Sequence, residues 1–340
     1  VNPAQLAFDL MAIDSTSGEE SQVVDHMDRF LSHAGWRVTR IPVTPGRDAI
    51  LARAREDVQV TLSTHLDTVP PYLAPALEGG VLRGRGACDA KGIAAAMVVA
   101  AERLRVRGEE VALLFVVGEE TCHDGAAAAN AWIAANLPPR RRVLINGEPT
   151  DSTLAVGTKG AQRVIVRTTG KAAHSAYPAM GRSATRDLVH LLAALDTISW
   201  PTDDLLGETT VNIGLIAGGV ADNVFAPSAE ARLMFRLVTS PDVIRPIVEG
   251  WAAGRASLEW GVMVPPVRLN VVEGFATTVA AFATDVPALT NWGEPYLFGP
   301  GSIHVAHTLD ERLAVAELER AVDAYERLAH LALRRSEATE

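Results

Sequence analysis

Three short apolar runs alternate with two alanine-rich segments over residues 57–146, and this alternation leaves the first half of the chain very few folds to choose from. Residues 57–64 (DVQVTLST), 111–117 (VALLFVV) and 142–146 (RVLIN) have strand length and β-branched content, whereas 91–106 and 124–136 are long enough for helices. Continuously apolar strands need cover on both faces, so the pattern predicts an α/β domain with a mixed, largely parallel sheet. From about residue 160 the texture changes. Residues 163–169, 209–216 and 229–238 alternate polar and apolar, as one-sided antiparallel strands do. Helices are expected over 183–198 and from Ser240-Pro241-Asp242, where serine can cap and proline can occupy the first turn. After Pro265-Pro266 the α/β texture resumes, and Leu318, Val322, Tyr325 and Ala329 mark one face of a long C-terminal helix. The expected architecture is discontinuous, with 1–160 and 268–340 forming one domain around a smaller α+β domain of 161–267.

Charge narrows the function. The 340 residues carry 31 Lys+Arg against 41 Asp+Glu, a net charge of −10 that disfavours a nucleic-acid partner. No apolar run approaches the roughly 20 residues of a membrane-spanning helix, so no membrane partner is expected. Residues 1–15 carry Asp9 and Asp14 and lack the basic start of a secretory signal. Cys88 and Cys122 are too few for a disulfide scaffold and suit a reducing, cytoplasmic compartment.

Side chains that can carry chemistry gather at the ends of the apolar runs. His65 and Asp67 project to the same side at one strand end, where they can converge on a cation or form a hydrogen-bonded structural pair. Asp89, in GRGACDAKG, could bridge two metal ions or cap the helix that follows. Glu119-Glu120 follow the next run directly, and adjacent buried carboxylates repel unless a cation or a shared proton compensates. Glu148, in INGEP, stands just beyond the third run. Open α/β sheets place their sites outside the carboxyl ends of the strands, so the repetition predicts a metal or catalytic centre, with solvated loop charges as the bland alternative. Near the C-terminus, FGPGSIHVAHTLDE offers His304 and His307 with Asp310 and Glu311 behind them, and lacks the Lys-Ser/Thr sequel of a phosphate loop.

The segments THLDTVPP, GRGACDAKG, VVGEET, INGEPT, AHSAYP and GPGSIHVAH, in this order and at these separations, resemble the M20 family of zinc-dependent amidohydrolases and peptidases. The likeness is to its acetylornithine deacetylase and succinyl-diaminopimelate desuccinylase branch, and it spans nearly the whole chain. It implies a two-zinc catalytic domain interrupted by a lid and dimerisation domain. His65, Asp89 and Glu148 would hold one zinc, and Asp89, Glu120 and His307 the other, with Asp89 bridging and Co2+ able to substitute. Asp67 would orient His65, and Glu119 would serve as general base and then acid. His174 would stabilise the oxyanion in the other protomer of a homodimer. Tyr177, Asn223 and Arg236 would touch substrate, Arg236 offering its fork to an α-carboxylate unless a structural ion pair claims it. The implied reaction is acetylornithine-type deacylation of an N-acyl amino acid in amino-acid biosynthesis, with a dipeptidase or other exopeptidase, or a desuccinylase, as alternatives. A non-catalytic binding protein is the reading from another class, and it would require a lost ligand or base.

Overall fold

The computed structural model describes residues 1–338, which separate into two compact units, Val1–Val156 with Leu269–Thr278 and Thr284–Glu340, and Gly157–Arg268 with Val279–Ala283. The short stretch Val279–Ala283 falls with the second unit although it lies within the segment expected for the first; there Lys159 donates its backbone N–H to the Ala280 carbonyl at 2.9 Å.

In the first unit, helices α1 (Pro3–Met11) and α2 (Ser21–His33) precede strands β1 (Arg37–Thr44), β2 (Arg47–Arg53) and β3 (Val60–His65). Helix α3 (Lys91–Val106), strand β4 (Val111–Val116), helix α4 (Asp124–Asn136) and strand β5 (Val143–Asn146) follow. The sheet runs β1-β2-β4-β3-β5 and is completed by the strand Glu294–Leu297. The pairs β4/β3, β3/β5 and β5 with Glu294–Leu297 are parallel, while β1/β2 and β2/β4 are antiparallel. The sheet is therefore mixed, with its parallel half where the apolar runs predict it. The β1/β2 hairpin was not expected from the sequence: its outer strand exposes Arg37 and Arg40 and includes Pro42, as edge strands do, so it carries no apolar run. Strand β3 begins at Val60 rather than Asp57, because Asp57 accepts the Val58 N–H on its own side chain and pairs with Arg140.

Alternate residues of the strands feed different cores. Val60, Leu62, Leu113, Phe115 and Ile145 pack with Leu10, Ile93, Met97 and the helix Val315–Ala338, while Ala112, Leu114, Val116 and Leu144 pack with Ala126, Ala129, Ile133 and Trp292. Both faces are covered, as two-sided apolar strands require. Helix α3 is buried on every side from Lys91 to Ala101, and its alanines allow this close approach to its neighbours.

In the second unit, strands β6 (Gly160–Thr169), β7 (Thr210–Gly218), β8 (Ser228–Leu237) and β9 (Ser257–Val264) form an antiparallel sheet in the order β7-β8-β6-β9. Helices α5 (Ala184–Ala193) and α6 (Pro241–Ala252) cover one face, joining Leu188, Leu191, Ile244 and Val248 to Val164, Val166, Leu233 and Phe235. Ser183 and Ser240 cap them by accepting the N–H of Arg186 and Asp242. Helix α5 is shorter than 183–198, its last turn tightening into a 3-10 turn over Ala194–Thr197.

Candidate metal centre

The C-terminal ends of the parallel strands lie level, His65 paired with Val116 and Ser63 with Asn146. Loops leaving these ends bring the ligand-type residues together. His65 Nε2 lies 3.0 Å from Asp89 Oδ1, and His307 Nε2 lies 3.1 Å from Asp89 Oδ2 and 3.0 Å from Glu120 Oε1. Two trios result, His65-Asp89-Glu148 and Asp89-Glu120-His307, each with ligand atoms within 4.8 Å of one another and both sharing Asp89. Asp89 is not a helix cap, because Ala90 occupies that position and receives no side-chain bond. His304 is exposed and belongs to neither trio, and neither cysteine belongs to any such group among the described residues.

These are not solvated loop charges. His65, Asp67, Asp89 and Glu148 are almost completely buried, and Glu148 Oε1 has no hydrogen-bond partner. Burial, with repulsion from Glu148, pushes Glu119 well above the usual carboxylate range; burial also raises Glu148 against the pull of His65. His307 is pushed up to about 10 by its bonds to Asp89 and Glu120. Burial opposes ionisation of Asp89, yet His307 and His65 hold its carboxyl well below the ordinary value. Two trios of imidazole and carboxylate joined at Asp89, with an orphaned buried oxygen on Glu148, fit a cation, and such donors suit a divalent transition metal.

A surrounding shell fixes the geometry. His65 Nδ1 lies 2.9 Å from the Asp67 carbonyl and 3.5 Å from its carboxylate, so the carbonyl sets the ring. The Asp67 carboxylate, facing the His65 ring on one side, also accepts the N–H groups of Glu119 and Glu120 at 3.1 and 3.2 Å and the Ser17 hydroxyl at 2.7 Å. Glu311 is buried, pairs with Arg85 at 2.6 Å, and accepts the N–H groups of Gly86, Cys88 and Asp89, anchoring the loop that presents Asp89. Arg47 bridges buried Glu20 to Asp124, closing the turn that carries Glu119 and Glu120. That turn leaves Gly118 at φ 74°, where an added Cβ would lie 2.2 Å from Asp124 Oδ1.

Sequence reasoning missed His123 and Asp285. His123 Nδ1 lies 2.8 Å from Asp285 Oδ1 and 4.0 Å from Glu119 Oε1, and these three residues form a third group of possible ligands. His123 follows Glu120 by three positions, which was the only signal available. Asp285 lies far away in sequence within no apolar pattern.

The remaining candidates lie in the second unit. His174 and Tyr177 are exposed and meet edge to face at 6.2 Å between ring centroids, and Ser175 donates its N–H to the Asn223 carbonyl at 2.8 Å. Arg236 stands eight residues into β8 from Ser228, roughly 26 Å along the strand, so it is not part of that cluster.

Comparison with known proteins agrees with this picture. A sequence profile described as Peptidase family M20/M25/M40 matches residues 61–331. A peptidase M20 domain-containing protein of Schizosaccharomyces pombe is 36% identical over 345 residues, which cover 98% of this chain and 85% of the relative. A probable carboxypeptidase of Aspergillus clavatus is 36% identical over 372 residues, covering 97% and 82%. Among solved structures, an M20 family metallo-carboxypeptidase from Sulfolobus solfataricus matches with a TM-score of 0.79 at 17% identity, covering 97% of this chain and 99% of its own. A tripeptidase from Staphylococcus aureus matches at 0.78 and 21% identity, covering 97% and 98%. At those identities the two structures attest the α/β fold.

Proposed function

The chain belongs to peptidase family M20/M25/M40 and is a metal-dependent hydrolase of linear amides, and on that premise we propose that it removes a residue bearing a free α-carboxylate from a short peptide or an acyl group. The observation that carries this reading is the pair of ligand trios sharing Asp89, with the Glu119 carboxylate, free of hydrogen bonds among the described residues, close by. The names of relatives such as the probable carboxypeptidase of Aspergillus clavatus favour release of a C-terminal residue.

In this reading His65, Asp89 and Glu148 would hold one Zn2+, and Asp89, Glu120 and His307 a second; bound there, the pair would supply a water of lowered pKa and Lewis acidity toward the scissile carbonyl. Glu119 takes the proton of the attacking water and delivers it to the departing amine. Asp67 keeps Glu119 and Glu120 in place through their backbone N–H groups. His174 donates to the oxyanion across a homodimer built on the second unit, with Tyr177 and Asn223 of the same copy binding substrate beside it, while Arg236, too far along β8 to join them in one copy, offers its guanidinium fork to the substrate carboxylate from the other copy.

The second reading, favoured by the order of the six motifs, applies the same chemistry to N-acetylornithine or N-succinyl-diaminopimelate. Amine release by zinc-reconstituted protein across dipeptides, N-acyl amino acids and these two compounds tests both, with C-terminally amidated peptides as controls. Free-carboxylate substrates are expected to turn over at least tenfold faster than the amides. Preference for N-acetylornithine alone would establish the deacylase, and equal cleavage of the amides would overturn the carboxylate requirement.

A further inference from the structure

His123, Asp285 and Glu119 share no residue with the two ligand trios, yet their ligand atoms also lie within 4.8 Å of one another. We propose that these three side chains form a third, weaker divalent-cation site, and that filling it takes the base out of action. The proposal rests on Glu119 being that base.

Three observations support it. Tetrahedral coordination at about 2.0–2.2 Å separates neighbouring donors by roughly 3.3 Å, and the 2.8 Å and 4.0 Å distances from His123 Nδ1 to Asp285 and Glu119 lie on either side of that value. The donors are withdrawn from water, with side chains 15%, 1% and 10% exposed for His123, Asp285 and Glu119. Glu119 is thus nine-tenths buried, its carboxylate receives no hydrogen bond among the described residues, and the nearest cationic-type group is the His123 ring. One imidazole and two carboxylates, all withdrawn from water, give the group the donors to accept a cation. Imidazole with two carboxylates selects Zn2+ over Mg2+ or Ca2+.

The site is weaker than the other two because it is less preformed: Glu119 Oε1 stands 4.0 Å from His123 Nδ1 and must move inward to complete the donor set, whereas the imidazole and carboxylate atoms of the trios already lie 3.0–3.1 Å apart. Tight zinc therefore fills the two trios first. Further zinc bridges His123 and Asp285 to Glu119, and a coordinated Glu119 cannot accept the proton of the attacking water. Activity accordingly rises with zinc and then falls at excess, while excess Mg2+ leaves it unchanged.

Equilibrium dialysis against graded free zinc, with amide hydrolysis measured at the same concentrations, tests the site. The wild-type protein is expected to take up a third equivalent at higher free zinc, with turnover falling in parallel. In His123→Ala, and separately in Asp285→Asn, two tight equivalents are expected to remain, the third to be lost, and half-inhibition to require at least tenfold more zinc relative to each variant's own maximum. Saturation of the wild type at two equivalents overturns the site, as does a third equivalent unaffected by both substitutions. A third equivalent without inhibition overturns the blocking of the base. Because dialysis needs no turnover, an inactive protein that binds three zincs rejects the assigned reaction and keeps the site, whereas an active one that binds only two does the reverse.

Discussion

Single carboxyl groups set the chemistry of this centre. Glu119 and Glu120 are neighbours in sequence, but His307 lies 3.0 Å from Glu120 while the Glu119 carboxylate receives no hydrogen bond among the described residues, which supports the proposed division into a ligand and a base. Glu119→Gln is therefore expected to retain both tight metals and lose about 10²–10⁴-fold in kcat; metal content and turnover of the same preparation check it, and wild-type turnover would remove Glu119 from the mechanism. His307 gives a pH prediction. Its pKa in the metal-free fold is raised from 6.5 to about 10 by Asp89 and Glu120, so the imidazolium stabilises that fold fully below about 6.5 and the contribution is lost as pH rises through about 10. Proton and cation compete for Nε2, so metal affinity should climb with pH across this window and loading at pH 7 should release protons. Calorimetry in buffers of different ionisation heat reads that release, and identical heats would contradict it. The candidate ligands were legible in the sequence because each follows an apolar strand or lies in a recognisable motif. His123 and Asp285 were not, because a pairing between residues 162 apart leaves no local pattern.

Secondary elements decide how rigidly those groups are presented. Strands β3, β4 and β5 and helices α3 and α4 agree with the apolar runs because buried two-sided strands have no polar face to blur the pattern. The edge strand β1 was illegible for the opposite reason, its polar outer positions resembling a loop. The turn from β4 to α4, which carries both glutamates, is held by Arg47 reaching from β2. Removing that side chain leaves Glu20 buried and unpaired, so Arg47→Met should cost about 3–5 kcal/mol of stability. The denaturant midpoint measures it, and a change below about 1 kcal/mol would mean that the turn holds without the clamp.

At the scale of the whole molecule, β7 lies at the edge of its sheet and exposes Ile213, Leu215 and Ile216, the last two at 60%. Such an unprotected apolar edge supports the proposed homodimer. Sedimentation should show a dimer for the wild type and a monomer for the Leu215→Glu, Ile216→Glu double variant; a wild-type monomer removes His174 from the chemistry, since its proposed role requires a second copy. The sequence alone determined where the buried strands β3, β4 and β5, the helices α3 and α4 and the strand-end acids fall, because apolar periodicity acts over a few residues. It also indicated, through the order of its motifs, the family. Only the tertiary structure decided that the Asp67 carboxylate holds the Glu119-Glu120 backbone, that Glu311 anchors the Asp89 loop, and that His123 and Asp285 stand beside Glu119. Each of these joins distant segments through one or two hydrogen bonds, and such contacts are chosen by the packing of the sheet and helices around them rather than by neighbouring residues.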